Sequence, residues 1–164
     1  TVESEEGRGT IFRVALPVDA RITDRAPPKD TALDPTRRGR ILVVDDERLV
    51  VRAIERLLSR EHEIVTVVAA KKALALCVAG EKFDVILCDL MMPDMTGMDL
   101  HRELLRIAPE QADKMIFLTG GAFTAGARRF LAETAREHLE KPFEPAALRA
   151  ILQRRLSRHP GAES

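Results

Sequence analysis

Three aspartates, a threonine and a lysine are the residues whose types and spacing could do chemistry in this chain. Asp45-Asp46 closes the apolar run Ile41-Leu42-Val43-Val44, and Asp89 closes Val85-Ile86-Leu87-Cys88. Thr119 closes Met115-Ile116-Phe117-Leu118, and Lys141 follows the short run at His138-Leu139. Carboxylates gathered at one place repel one another and resist ionisation unless a cation joins them. Hard oxygen ligands with no His or Cys at ligand spacing suit Mg²⁺. Lys141 would add a compact positive charge and Thr119 a hydroxyl donor. With Mg²⁺ and Lys141 present, the formal charge of three carboxylates is cancelled. Such a pocket stabilises a phosphoryl group in transfer, because that reaction needs positioning and charge neutralisation more than covalent help. An aspartate carboxylate can itself be the nucleophile and become an aspartyl phosphate. Taken singly, an Asp after a strand is an ordinary turn former or helix cap, and a Thr before Gly or a Lys before Pro is an ordinary loop residue. The weight lies in the ordered set: acid pair, acid, hydroxyl, lysine.

The elements that must position these residues are legible as alternation. Short β-branched runs at Ile41–Val44, Ile64–Val68, Val85–Cys88 and Met115–Leu118, with a weak one at His138-Leu139, predict strands buried on both faces. Between them lie helical patterns. Val50, Ile54, Leu57 and Leu58 share one face, as do Ala70, Leu74 and Cys77, then Leu100, Leu104 and Ile107. A helix is expected from Phe123 to Thr134. A last one aligns Leu148, Ile151, Leu152 and Leu156, with Pro145 in its first turn. Strict strand–helix alternation implies a parallel sheet with helices on both faces. The fold class is therefore α/β: a flavodoxin-like, doubly wound, five-stranded sheet of order 2-1-3-4-5, with its ligand site at the carboxyl ends of the strands.

The chain has 164 residues, 45% of them hydrophobic, with 26 basic and 26 acidic side chains and no net charge. That balance points to neither nucleic acid nor direct contact with an anionic membrane surface, and no stretch approaches 18 apolar residues. Arg37, Arg38 and Arg40, and Arg154, Arg155 and Arg158, read as solvated faces, because no aromatics are interleaved with them. Cys77 and Cys88 form no CxxC pair, which suits a reducing compartment. Residues 1–18 hold a short apolar alternation and 19–39 a linker rich in Pro and charge. Residues 40–158 carry the α/β texture and 159–164 form a tail. The start at Thr1, without an initiator Met or signal-peptide pattern, reads as an excerpt from a longer protein.

From Arg40 to about Leu156 the sequence resembles the response-regulator receiver family. The resemblance rests on Ile41-Leu42-Val43-Val44-Asp45-Asp46-Glu47, Asp89-Leu90-Met91-Met92-Pro93-Asp94-Met95-Thr96-Gly97, Leu118-Thr119-Gly120 and Lys141-Pro142-Phe143. It implies that Asp89 accepts phosphate from a phosphohistidine. It also implies that Asp46 and Asp89 bind Mg²⁺ directly with the Met91 backbone carbonyl, and that Asp45 acts through water. Lys141 would contact the phosphoryl oxygens, Thr119 would report their arrival, and the Lys141–Pro142 bond would be cis. The output would be a change in the surface of the fourth helix, fifth strand and fifth helix. Two positions depart from the family pattern. Gly120-Gly121 follows the Thr where a small residue such as Ala is usual, and the switch aromatic three residues before the Lys is His138. Residues 1–18 carry a second resemblance, through Glu6-Gly7-Arg8-Gly9-Thr10-Ile11-Phe12 and Leu16-Pro17, to the last strands of a histidine-kinase ATP-binding domain. A plain glycine-turn hairpin is the alternative. The first reading makes the parent a hybrid histidine kinase, a transferase, and this chain a phospho-acceptor with self-dephosphorylation at most.

The implied partners are a histidine kinase or its phosphohistidine domain, in the same parent chain or another, and a downstream histidine phosphotransfer protein. The chain is expected to be cytoplasmic, with a parent that can be membrane-anchored, and a monomer or weak dimer. A Mg-dependent phosphatase of the haloacid dehalogenase kind would want Asp-x-Asp after its first strand, whereas these acids are adjacent. A receiver acting by binding alone would be favoured by loss of an acid or of the lysine, and none is lost. His62, His101 and His159 read as isolated and exposed, and Met91, Met92, Met95 and Met98 as loop and core packing. Cys88 reads as a buried strand residue facing a helix.

Overall fold

The computed structural model describes residues 2–5, 9–12, 38–120 and 124–158. The chain divides into two compact units, Thr1–Asp34 and Pro35–Ser164. In the first, β1 (Val2–Glu5) pairs antiparallel with β2 (Gly9–Phe12), Val2 opposite Phe12 and Glu5 opposite Gly9. Residues 19–37 of the expected linker, and the tail with His159, lie outside the described residues.

The second unit alternates strand and helix throughout. In chain order it comprises β3 (Arg40–Val44), α1 (Arg48–Leu58), β4 (Glu63–Val67), α2 (Ala70–Val78), β5 (Val85–Asp89), α3 (Gly97–Ile107), a short α4 (Pro109–Ala112), β6 (Met115–Thr119), α5 (Ala125–Thr134), β7 (His138–Glu140) and α6 (Pro145–Arg158). All strand pairs are parallel and the sheet order is β4-β3-β5-β6-β7, which is the 2-1-3-4-5 order of a flavodoxin-like sheet.

Period-two alternation sends side chains to opposite faces. Leu42, Val44, Ile86, Cys88, Met115 and Phe117 therefore meet α2, α3 and α5 on one side. Ile41, Val43, Val85, Leu87, Ile116 and Leu118 meet α1 and α6 on the other. The interior strands β3, β5 and β6 are almost wholly buried, which is why they read as unbroken apolar runs. The expected face of α6 is buried in full, and Pro145 opens the helix. Elsewhere the buried stripe is turned by a residue. Val51, Ile54 and Leu58 are the buried residues of α1, with Val50 and Leu57 only partly covered. In α2, Ala73 is buried with Ala70 and Cys77, while Leu74 is partly covered. On α3 the buried set is Gly97, Leu100, His101 and Leu104, and Ile107 is 48% exposed.

Two histidines expected at the surface are in the interior: His62 is 3% and His101 2% exposed. His62 Nδ1 accepts from the Gly39 backbone N–H at 3.3 Å, pinning the start of the sheet. An imidazole can be buried cheaply when neutral and partnered, and a lone His in a sequence does not reveal its partner. Within the arginine clusters Arg38 and Arg154 are exposed as expected, but two members depart from the solvated reading. Arg40 is ion-paired with Glu63 and Glu81 and lies 4.9 Å over the Phe83 ring, and Arg155 is ion-paired with Glu137. The side chains of Arg37 and Arg158 lie outside the described residues.

Candidate functional site

The carboxyl ends of the parallel strands bring the five singled-out residues to one edge. Asp45 stands one residue beyond β3, Asp89 ends β5, Thr119 ends β6, and Lys141 stands one residue beyond β7. Parallel register enforces this, since Val44 lies opposite Cys88, Asp89 opposite Leu118 and Thr119 opposite Glu140.

One oxygen from each of Asp45, Asp46 and Asp89 can be chosen so that all lie within 4.8 Å of one another. Asp45 is fully buried and Asp89 is 7% exposed, whereas Asp46 faces solvent. Lys141 Nζ spans the two buried acids, 2.6 Å from Asp45 Oδ2 and 3.2 Å from Asp89 Oδ1. The other oxygen of Asp45 accepts from the Glu47 backbone N–H at 2.9 Å. Burial, with the charges of Asp45 and Asp46, holds the Asp89 pKa above its ordinary value despite the opposing pull of Lys141. Burial alone would lower Lys141, but its hydrogen bond to Asp45 and the two carboxylate charges hold it above the usual lysine value. Asp89 thus resists ionisation in the crowded pocket. An all-oxygen set with one solvent-facing member and no soft ligand fits a Mg²⁺ ion that keeps several waters.

The surrounding backbone explains the precision of the placement. Gly97 opens α3 directly against β5: a Cβ there would lie 2.4 Å from the Asp89 carbonyl oxygen and 3.1 Å from Cys88 Sγ. Thr96 and Asp99 form a reciprocal capping box at the same end, so the helix start is fixed where the acceptor sits. Cys88 is fully buried as expected, with its thiol 3.2 Å from the Asp89 carbonyl oxygen and its pKa pushed well up by burial. Met91 lies in the loop two residues past Asp89 with its side chain 42% exposed, while Met92 is buried. The Thr119 hydroxyl donates to the Leu139 carbonyl at 3.3 Å, and the Thr119 carbonyl accepts from the Lys141 backbone N–H at 2.6 Å. The Lys141–Pro142 peptide is cis, in agreement with the resemblance. His138 is exposed on β7 with a ring nitrogen 3.4 Å from the Arg136 carbonyl.

The sequence left a groove beside the lysine unnoticed. It has a volume of about 540 Å³ and is lined by Glu47, Val50, Ala53, Leu57, Lys141 and Phe143 among others. Its apolar residues on α1 were legible as helical periodicity, but period alone does not say which of them stay uncovered.

The whole arrangement agrees with what the chain is similar to. The family model for the response regulator receiver domain matches residues 41–153. The sensor kinase CckA of Brucella abortus (strain 2308) is 30% identical over 166 residues, covering 95% of this chain and 17% of that protein. The aerobic respiration control sensor protein ArcB of Escherichia coli (strain K12) is 31% identical over 158 residues, covering 94% and 20% respectively. The chain thus spans about a fifth of the length of these relatives. Among solved structures, a response regulator receiver domain protein from Clostridium thermocellum superposes with a TM-score of 0.64 at 31% identity, over 73% of this chain and 95% of that one. A CheY-like receiver from Methanospirillum hungatei JF-1 gives 0.65 at 26% identity, over 74% and 95%. The chain belongs to the response regulator receiver domain family of two-component signalling.

Proposed function

We propose that the receiver accepts a phosphoryl group on Asp89 from a phosphohistidine. The observation that carries this reading is the position of Asp89, held by Lys141 at 3.2 Å among acids whose oxygens gather within 4.8 Å. One carboxylate oxygen of Asp89 attacks phosphorus as the bond to the donor's imidazole nitrogen breaks, and that nitrogen keeps the electron pair. Lys141 neutralises the charge on the phosphoryl oxygens, and Asp45 holds Lys141 in reach through the 2.6 Å contact. Asp46, Asp89 and the Met91 carbonyl would hold Mg²⁺, with Asp45 reached through water. The bound ion would supply charge neutralisation between the carboxylates and the incoming phosphoryl group. The Thr119 hydroxyl would leave Leu139 for a phosphoryl oxygen, and His138 would follow it inward. That movement reshapes the surface of α5, β7 and α6.

The groove between α1 and the start of α6 suits the donor, because it is apolar and begins at Lys141. A helix carrying the phosphohistidine is its fitting occupant. The sensor-kinase alignments leave only about eight and about ten residues of this chain unmatched, so they reach into residues 1–18. That supports a sensor kinase as the parent; with it we read this receiver as the C-terminal receiver of a hybrid histidine kinase and β1–β2 as a remnant of the kinase's ATP-binding domain.

Acetyl phosphate with Mg²⁺ should label the wild-type chain, and Asp89→Asn and Asp46→Ala should abolish or strongly reduce labelling. Wild-type labelling of Asp89→Asn would overturn the acceptor assignment, and undiminished labelling of Asp46→Ala the metal assignment.

A further inference from the structure

His101 has no place in the phosphoryl chemistry, yet its setting is unusual. It sits on α3, 2% exposed, and among the described residues no protein group hydrogen-bonds to either ring nitrogen. A buried imidazole normally finds at least one. Its neighbours are instead aromatic and arranged edge to face. Phe117 of β6 lies 5.9 Å away between ring centroids and Phe130 of α5 lies 5.5 Å away, with 5.3 Å between the two phenyl rings. The charged groups facing this triad are Arg136, just after α5, and Asp113, just after α4, and they are bound to each other at 2.6 Å. The neighbours on β6 and α5 are apolar, and the charged residues Asp99, Arg102, Glu103 and Arg106 of α3 pair among themselves at the surface. Asp113 is the one facing anion among the described residues, and its bond to Arg136 already engages it.

The helix on the far side of this cage is held lightly. Only Ala127 and Leu131 of α5 are buried, and Phe130 is partly covered. The helix ends on Ala135 in the left-handed region at φ 47°, which an alanine enters at a cost. A buried imidazole caged by aromatic rings, a lightly anchored helix and a strained terminus thus meet at one interface.

We propose that His101 is a proton-operated latch for α5: neutral, it seats the helix through Phe130; protonated, it draws in water and loosens the helix from the sheet. The sign follows from the cage. Burial, aided by Arg136 and opposed by Asp113, holds the imidazole below its ordinary value of 6.5 when α5 is seated. The unseated state, with the ring in water, binds the proton more readily. Seating is therefore at full strength above pH 6.5 and weakens as pH falls below it. The latch acts on the unphosphorylated protein and does not depend on chemistry at Asp89. Because α5 contributes to the proposed output surface, it would make that surface responsive to acidity.

The test is amide hydrogen exchange of the unphosphorylated chain at pH 7.5, 6.5 and 5.5, corrected for intrinsic exchange, with NMR titration of the imidazoles. Protection of α5 should fall relative to α1 and α6 by up to about tenfold per pH unit as pH drops from 6.5 towards the depressed seated value, and level off below it. His101→Phe and His101→Leu should flatten that dependence, and His62→Gln should retain it. Phe130→Ala opens the cage without removing the histidine and should move the His101 titration up towards its ordinary value. Loss of α5 protection in step with α1 and α6, an unchanged pH response in both His101 variants, or a His101 titration unmoved by Phe130→Ala would each overturn the latch.

Discussion

Asp89 is asked to be both buried and charged, and the cost of that is measurable. Its folded pKa is raised, chiefly by burial, above the ordinary 3.8. The folded protein then holds its proton more tightly than the unfolded chain. Ionisation subtracts from stability as pH rises from 3.8 through the raised value, and the loss is complete above it. Asp89→Asn should therefore be more stable than wild type at pH 7, by on the order of 1 kcal/mol, and the difference should vanish as pH falls towards 3.8. Paired thermal melts at pH 7 and pH 4 check this. Mg²⁺ should raise the melting temperature of the wild type and EDTA reverse it, with a much smaller effect on Asp89→Asn, since the ion relieves the same repulsion. Lys141→Ala removes the compensating charge from beside two buried carboxylates. It should destabilise the fold at neutral pH by roughly 2 kcal/mol, an effect that urea titration would read, with part of the loss restored by Mg²⁺.

Helix termini and faces set how accurately those side chains are held. Thr96 caps α3 through the Asp99 N–H at 3.1 Å, and Asp99 returns the bond to the Thr96 N–H at 3.1 Å. The hydrogen bonds from Thr96 also hold the Asp99 carboxyl below its ordinary value. Thr96→Ala should cost about 1 kcal/mol. Gly97→Ala should do far more damage, since its methyl would fall 2.4 Å from the backbone oxygen of Asp89 itself. It should depress labelling by acetyl phosphate as well as stability. Ala135→Gly should stabilise by about 1 kcal/mol by relieving the left-handed terminus. On α1, Ala53 is exposed on the rim of the groove. Ala53→Arg should leave acetyl phosphate labelling intact while slowing transfer from a phosphohistidine protein at least tenfold, the two assays separating docking from chemistry.

At the scale of the molecule, the unit from Pro35 onward holds both core layers and the whole acidic edge. Near the start of its described residues Gly39 is anchored: its N–H donates to His62 and its carbonyl accepts from Glu63 at 3.0 Å. Gly39 also packs so tightly on Leu156 that a Cβ would lie 2.5 Å from its Cδ2. A chain beginning at Arg38 keeps all of this. It should melt within about a degree of the full chain and take up phosphate at the same rate, whereas removing Gly39 as well should lower the melting temperature. ATP binding by the 164-residue chain that disappears on truncation to Arg38 would refute the reading of residues 1–18 as an incomplete piece of a kinase domain.

The sequence by itself determined the sheet, its order and the acidic edge. Unbroken β-branched runs demand burial on both faces, and parallel strands can then end only on one side, so Asp45, Asp46, Asp89, Thr119 and Lys141 had to converge. It also determined the buried stripe of α6, because Leu148, Ile151, Leu152 and Leu156 are the only large apolar residues of that helix and leave one choice of face, whereas α1 offers six and so a choice. Only the tertiary structure decided which acids are buried, since burial of Asp45 and Asp89 but not Asp46 depends on how β3 and β5 sit under their loops. It decided that Lys141 binds Asp45 more closely than Asp89, a matter of a few tenths of an ångström that no spacing encodes. It also buried His62 and His101, one with a backbone partner from 23 residues away and one with none among the described residues. A histidine's polarity argues for the surface until its neighbours are known, and those neighbours come from elements distant in the chain.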